Sequence, residues 1–258
     1  MTTAKKSLGQ NFLVSEPILS KITAWIAPSP EEFFLEIGPG RGALTAHLLP
    51  KVRHFYAVEL DRELCVFLRQ RFGENWTLIQ GDALDLDIEN LPHPLRVVGN
   101  LPYYVAMPIL FHLLEFRTRI QDIHIMVQKE VGERMLAAPS TAAYGRLSVM
   151  IQAFCDIEKA LTVKAGAFWP KPKVDSVFLR LIPKKMLPMK DANVFASIVK
   201  AAFSARRKML RNTLSFIGAD HLKTLGIQPS ARAENLGVDD FVRLADFHLE
   251  NSSFVPII

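Results

Sequence analysis

The run Phe33-Phe34-Leu35-Glu36-Ile37-Gly38-Pro39-Gly40-Arg41-Gly42-Ala43 decides the fold. Its first five residues are mostly apolar without alternation, the pattern of a strand buried on both faces. The glycines that follow mark an abrupt turn into a helix; such residues permit the turn and let a ligand approach the backbone closely. Gly38 to Ala43 also satisfies the pattern G-x-G-x-x-A, and Glu59 stands 21 residues after Gly38, where an acid would bind ribose hydroxyls. The turn therefore predicts a nucleotide-like cofactor, with NAD and S-adenosylmethionine both compatible.

Working outward, further strand-like runs lie at residues 55–58, 77–79, 95–98 and 123–127, and helical stretches at 62–72 and 109–116 fall between them. Strands alternating with helices imply a parallel sheet covered on both sides. Two more strand-like runs, 160–163 and 176–182, follow a helical region at 144–154. Residues 183–188 are polar and bounded by Pro183 and Pro188, the composition of a linker. Beyond it the period becomes helical: Val199, Phe203, Leu210, Leu214 and Ile217 share one face, with Arg206, Arg207, Lys208 and Arg211 towards another. The expected division is a sheet domain at 1–183 and a small helical domain at 184–258.

Composition excludes several classes. Across 258 residues, 49% are apolar and 22% charged, which argues against disorder, coiled coil and low complexity. Cys65 and Cys155 are the only cysteines, too few and too far apart for a disulfide framework or a metal pair. No apolar segment follows Lys5 and Lys6 as in a secretory signal. Residues 97–114 are uncharged for eighteen positions, but Gly99, Asn100, Pro102 and Pro108 interrupt them, so a strand, turn and helix explain them better than a membrane span. A cytoplasmic protein without membrane or metal, and with no need for more than a monomer, is expected. The net charge of +5 is uneven: residues 1–183 hold 20 Lys and Arg against 19 Asp and Glu, and residues 184–258 hold 11 against 7. A basic appendix on a nearly neutral body fits a region that contacts a polyanion.

Two motifs carry chemistry beyond the glycine turn. Gly81-Asp82 follows the third strand of the alternating series, and Asp82 could accept a hydrogen bond from an adenine amino group or simply cap a turn. Asn100-Leu101-Pro102-Tyr103 ends the fourth strand at the same edge. An exocyclic amine on an aromatic base is a poor nucleophile because its lone pair is delocalised into the ring. The Asn100 side-chain oxygen and the Leu101 carbonyl could hold its two protons and favour a tetrahedral nitrogen without a strong base. Pro102 stiffens the turn, and Tyr103 offers a ring face for an unpaired base.

With these motifs in order, the chain resembles the ribosomal RNA adenine dimethyltransferase family, in particular its small-subunit branch. The resemblance is carried by Leu8-Gly9-Gln10-Asn11-Phe12-Leu13, Gln128-Lys129-Glu130-Val131, Tyr144-Gly145-Arg146-Leu147-Ser148, Pro172-Lys173-Val174-Asp175-Ser176 and Arg232-Ala233-Glu234-Asn235-Leu236, besides the segments above. It implies an α/β fold: a Rossmann-like S-adenosylmethionine-dependent methyltransferase sheet with an antiparallel last strand, plus a small all-helical C-terminal domain. It implies S-adenosylmethionine at Asn11, Leu13, Gly38, Gly40, Glu59, Asp82 and Asn100, and Phe168 stacked on the target adenine opposite Tyr103. The substrate it implies is two adjacent adenosines in a hairpin loop near the 3′ end of small-subunit ribosomal RNA, within a ribosomal particle. Lys5, Lys6, Arg146, Lys171, Lys173, Arg206, Arg207, Lys208 and Arg211 are the expected RNA contacts. The sequence departs from the family pattern at Tyr104, Val105, Ala106 and Met107, where small polar residues are usual, and at the bulky Trp169; the first change bears on addition of a second methyl. The rivals are a large-subunit resistance methyltransferase, an NAD-dependent oxidoreductase, which leaves residues 100–103 unexplained, and a non-catalytic RNA-binding factor.

Overall fold

A computed structural model describes residues 9–73, 76–102 and 105–251. The chain runs β1 (Phe12–Leu13), α1 (Glu16–Ile26), β2 (Phe33–Ile37), α2 (Ala43–Leu48), β3 (His54–Glu59), α3 (Arg62–Phe72), β4 (Thr77–Gln80), β5 (Leu95–Asn100), α4 (Ala106–Glu115) and β6 (Ile120–Gln128). It continues through α5 (Lys129–Leu136), α6 (Arg146–Phe154), β7 (Cys155–Val163), β8 (Phe168–Trp169) and β9 (Ser176–Pro183), then α7 (Ala192–Ala202), α8 (Leu210–Thr213), α9 (Ala219–Thr224) and α10 (Val238–Asn251).

Seven strands form one sheet in the order β4-β3-β2-β5-β6-β9-β7. The pairs from β4 to β6 are parallel, and β9 runs antiparallel to β6. The chain builds outward from β2 through β3 to β4 and then returns to place β5 on the other side of β2. That reversal opens a crevice at the carboxyl ends of β2 and β5, where ligands bind in open α/β sheets. Phe34, Leu35, Phe55, Ala57, Val97 and Val98 are buried in these central strands, which accounts for their lack of alternation. Asp61 caps α3 by accepting from the Glu63 N–H at 3.0 Å.

The amino ends of β5 and β6 hold a buried charge cluster. Arg96 donates through Nε and Nη2 to the two oxygens of Asp122 at 2.9 and 3.0 Å, through Nη1 to Glu32 at 2.9 Å, and through Nη2 to the Ile26 carbonyl at 2.9 Å. Arg180 on β9 and His124 also meet Asp122, at 3.0 and 3.1 Å. Burial alone would raise the Asp122 pKa, but hydrogen bonds from His124 and Arg96 and their charges outweigh it and hold it well below the usual carboxylate range. The cluster ties three strands together at the end of the sheet away from the crevice.

Contacts divide the chain into one unit of Met1–Gly132 with Asp156–Pro183 and a second of Glu133–Cys155 with Lys184–Ile258. The sequence division at 183/184 leaves 133–155 with the sheet. The segment joins the tail because its polar groups are satisfied there: Tyr144 Oη donates to the Leu236 carbonyl at 2.8 Å, and the Ser140 N–H to the Glu234 carbonyl at 2.7 Å. A second difference concerns residues 199–217. They share a buried face, yet the helix ends at Ala202, and Arg206, Arg207 and Lys208 lie on the turns before α8 rather than along one continuous helix. Phe203 is the residue at which α7 ends, and its ring packs 5.7 Å from Phe241 and 6.4 Å from Tyr144. No helix among the described residues is long and apolar enough to cross a membrane.

Candidate active site

Four strand ends converge on one cavity of about 290 Å³. Its wall includes Asn11, Leu13, Gly38, Gly40, Glu59, Asp82, Asn100, Leu101 and Pro102, so nine residues singled out from the sequence meet in one place. Tyr103 and Tyr104, like Lys5 and Lys6, lie outside the described residues.

The floor is the glycine turn. Gly38, Gly40 and Gly42 all have positive φ, at 65°, 59° and 73°, a conformation that disfavours any side chain. A Cβ at Gly38 would meet no atom within 4 Å, so its open side is cavity, whereas one at Gly40 would come within 3.0 Å of the Phe12 ring. Gly81, with no atom near its Cβ position, gives a second stretch of bare backbone in the wall. These are cradles into which a ligand can settle against the main chain.

Glu59, the last residue of β3, accepts the Gly40 N–H on Oε2 at 3.0 Å and the Asp61 N–H on Oε1 at 2.9 Å. Burial raises its pKa, and these two backbone donors oppose the rise. A carboxylate offers about four acceptor positions, and the backbone donors leave part of that capacity open on a residue that lines the cavity. Asp82 does cap a turn, accepting the Leu84 N–H on Oδ1 at 2.9 Å, and lines the cavity as well. Its two candidate roles are compatible.

At the β5 end, Asn100 Nδ2 donates to the Asn11 backbone carbonyl at 2.8 Å. A carbonyl can only accept, so this contact fixes which way the amide faces and leaves Oδ1 as the acceptor presented by Asn100. The Leu101 side chain is buried and anchors the turn, while the Pro102 carbonyl is taken by the N–H groups of Val105 and Ala106 at 3.1 and 3.0 Å. Val105, one of the departures from the family pattern, lines the cavity, and Ala106 is buried at the start of α4.

The segment bearing Asn11 is held across the opening by a short antiparallel pair, Phe12 with Trp169 and Leu13 with Phe168. Strand alternation then separates the two aromatics of β8. Phe168 is 4% exposed and belongs to the core around Leu13, Ile22, Met126 and Phe178; it does not line the cavity, and the outward ring is Trp169. The packed position of Phe168 is thus that of a core residue.

Sequence reasoning gave no separate role to Glu36, which is 2% exposed, lines the cavity and accepts a 2.5 Å hydrogen bond from Thr45 Oγ1. Its pKa is pushed up to about 8 by burial, with the Glu59 charge adding and the Thr45 hydroxyl opposing. An acid inside the doubly buried strand Phe33–Ile37 was the available signal. Of the basic candidates, Lys171, Lys173, Arg146, Arg207, Lys208 and Arg211 are exposed. Arg206 is exposed too, but is tied to Glu234 at 3.2 Å and to the Ala142 carbonyl at 2.7 Å. No cluster of His, Cys, Asp or Glu suited to a metal ion occurs among the described residues.

Comparison with known proteins places this arrangement. The sequence pattern described as ribosomal RNA adenine dimethylase matches residues 1–249. The ribosomal RNA small subunit methyltransferase A of Thiobacillus denitrificans is 50% identical over 245 residues, covering 93% of this chain and 96% of that protein. The protein of the same name from Methylobacillus flagellatus is 47% identical over 248 residues, covering 95% and 97%. A crystal structure of a dimethyladenosine transferase from Plasmodium falciparum matches with a TM-score of 0.82 at 26% identity, covering 93% of this chain and 98% of that one. The 23S rRNA methyltransferase ErmE matches at 0.71 and 25% identity, covering 92% and 98%. Because the match runs through the glycine turn, Glu59, Asp82 and Asn100 and on into the helical tail, the chain belongs to the ribosomal RNA adenine dimethylase family.

Proposed function

We propose that the protein dimethylates the exocyclic 6-amino group of two adjacent adenosines in the 3′-terminal hairpin loop of small-subunit (16S) ribosomal RNA, late in subunit biogenesis, as a cytoplasmic monomer acting on a ribosomal particle. S-adenosylmethionine, when bound, supplies a methyl group on a sulfonium centre. Around it, Glu59 receives ribose hydroxyls, Asp82 an adenine amino group, and Asn11, Leu13, Gly38 and Gly40 shape the pocket.

The observation that carries this reading is the Asn100 amide, turned by the Asn11 carbonyl so that its oxygen accepts. Together with the Leu101 carbonyl it holds the two protons of the target amine, which localises the nitrogen lone pair and aims it at the methyl group. Alignment of reactants alone can supply about 7–11 kcal/mol of a barrier. Tyr103 is assigned one face of the target adenine. Phe168 is assigned the other, which requires it to leave its core position beside Leu13. RNA docking is assigned to Arg206, Arg207, Lys208 and Arg211 in the helical domain at 184–258, with Arg146, Lys171, Lys173, Lys5 and Lys6 contributing; folded RNA is read here by shape and unpaired bases.

The test is incubation with labelled S-adenosylmethionine and undermodified small ribosomal subunits, with large subunits in parallel, followed by mass spectrometric mapping of methylated nucleosides. Dimethyladenosine on the small subunit alone is expected. Label confined to the large subunit, or on neither, would overturn the assignment.

A further inference from the structure

The outward aromatic of β8 has no part in the chemistry above. Trp169 is 48% exposed, and the Arg41 guanidinium carbon lies 4.8 Å from its ring centroid. The same guanidinium lies 4.9 Å from the Phe12 ring, and Phe12 is the strand partner of Trp169. An aromatic, a cation and a second aromatic therefore form one stack. Two of its members, Phe12 and Arg41, also wall the cavity, so the stack stands at the rim.

The stack is braced from below. Arg71 donates through Nη1 to the Arg41 carbonyl at 2.6 Å, and the Arg71 guanidinium rests 5.0 Å from the Phe72 ring. On the other side, the β1–β8 pairing and the Val14 N–H donating to the Ala167 carbonyl at 2.9 Å hold the backbone of both strands. A single exposed aromatic needs no explanation in general. This one is different in that a guanidinium covers one face and the backbone on both sides is fixed, so the ring is ordered before anything stacks on it. Preordering lowers the entropic cost of binding, and aromatic faces are what proteins offer to unpaired bases in RNA.

The position also says which base. Trp169 points to the opposite face of the β1–β8 pair from Phe168, the ring assigned to the target adenine, so a base lying on the indole is a different one. A neighbour along the strand is the base nearest to hand. Lys171 and Lys173, both exposed, follow directly and put positive charge where the strand's phosphates would pass.

We propose that Trp169, backed by Arg41 and Phe12, is the stacking platform for an unpaired base adjoining the adenosine being methylated; this rests on the RNA methyltransferase reading above. The experiment uses a hairpin RNA with two adjacent loop adenosines and 2-aminopurine at the next loop position, with wild type, Trp169→Ala and Trp169→Phe. Expected are quenching of 2-aminopurine by wild type, and for Trp169→Ala loss of quenching with a KM for RNA raised by about tenfold, while kcat, S-adenosylmethionine affinity and melting temperature hold. Trp169→Phe should recover most of the RNA affinity. An unchanged KM and quench in Trp169→Ala would overturn the platform, as would an equal loss of S-adenosylmethionine affinity, the mark of a merely structural Trp. If wild type transfers no methyl to any RNA, the underlying reading fails separately; Trp169-dependent quenching would then still support the platform, and its absence would overturn it.

Discussion

Glu36→Gln should stabilise the sheet unit, and by an amount that grows with pH. The Glu36 carboxyl is sealed at the cavity floor, and its pKa is pushed from 4.5 to about 8. In the unfolded chain it ionises near 4.5, so between those values the folded state binds more protons, and stability falls as pH rises. The contribution is intact below pH 4.5 and lost once pH has passed 8. At 1.36 kcal/mol per unit, the cost is about 1 kcal/mol at pH 5, about 3 at pH 7 and about 5 at pH 9. Glutamine keeps an oxygen for Thr45 and carries no charge, so it escapes the cost. Any packing penalty of the amide is the same at every pH and cancels from the trend, leaving a gain of about 4 kcal/mol between pH 5 and pH 9. The assay is urea unfolding of both proteins at pH 5, 7 and 9, followed by tryptophan fluorescence. Trp25, Trp76 and Trp169 are the only tryptophans and all fall in the sheet unit, so the signal reports on that unit alone. A stability difference that stays flat with pH, or shrinks as pH rises, would refute the assignment of a neutral buried acid.

Asp122→Asn should cost about 3–5 kcal/mol, because it strips the counter-charge from buried Arg96 and from Arg180; the fluorescence-detected urea midpoint measures it. The wild-type carboxylate, with its depressed pKa, should keep that contribution above its unfolded value of 3.8 and lose it only in stronger acid. Asn100→Ala should lower kcat by about 10²–10³-fold, by analogy with loss of one preorganised polar contact to a reacting group, while calorimetry shows S-adenosylmethionine affinity changed far less. Gly42→Ala should destabilise by about 1–3 kcal/mol, since its Cβ would run into the Phe72 ring, read by the same urea unfolding. Arg207→Ala with Lys208→Ala should reduce the slope of log affinity against log salt by about 1 per residue for small-subunit RNA, measured by filter binding at several salt concentrations.

What could be read from the sequence depended on whether a feature was local. The turn from Ile37 to Ala43 was legible because glycine spacing and a strand buried on both faces are properties of adjacent residues, and α3 at Arg62–Phe72 followed for the same reason. The Asn100 turn was legible as chemistry, but its orientation was not: the tether is a backbone carbonyl at Asn11, 89 residues away, and a carbonyl leaves no mark on residue identity. The affiliation of Glu133–Cys155 with the tail was hidden likewise, since the Pro-bounded linker advertises one chain crossing and nothing comparable marks the other. In residues 199–217 the apolar spacing correctly indicated which side chains turn inward, yet spacing cannot distinguish one helix from two helices joined by turns that keep the same face buried.

Phe168 and Trp169 show how far a motif reaches. The resemblance points to Phe168 as the ring above the adenine, and chain order alone cannot say which of two adjacent aromatics is buried and which is exposed. Pairing decides it: once Leu13 stands opposite Phe168 and Phe12 opposite Trp169, the pleat sends Phe168 to the core and Trp169 out over Arg41. The same two residues of β1 therefore set the Asn100 amide through Asn11 next door, cover Gly40 with the Phe12 ring, and order the rim aromatic. Loosening that short pair would disturb the acceptor, the glycine turn and the rim together, so the segment at 9–13 ties the cavity wall to its rim.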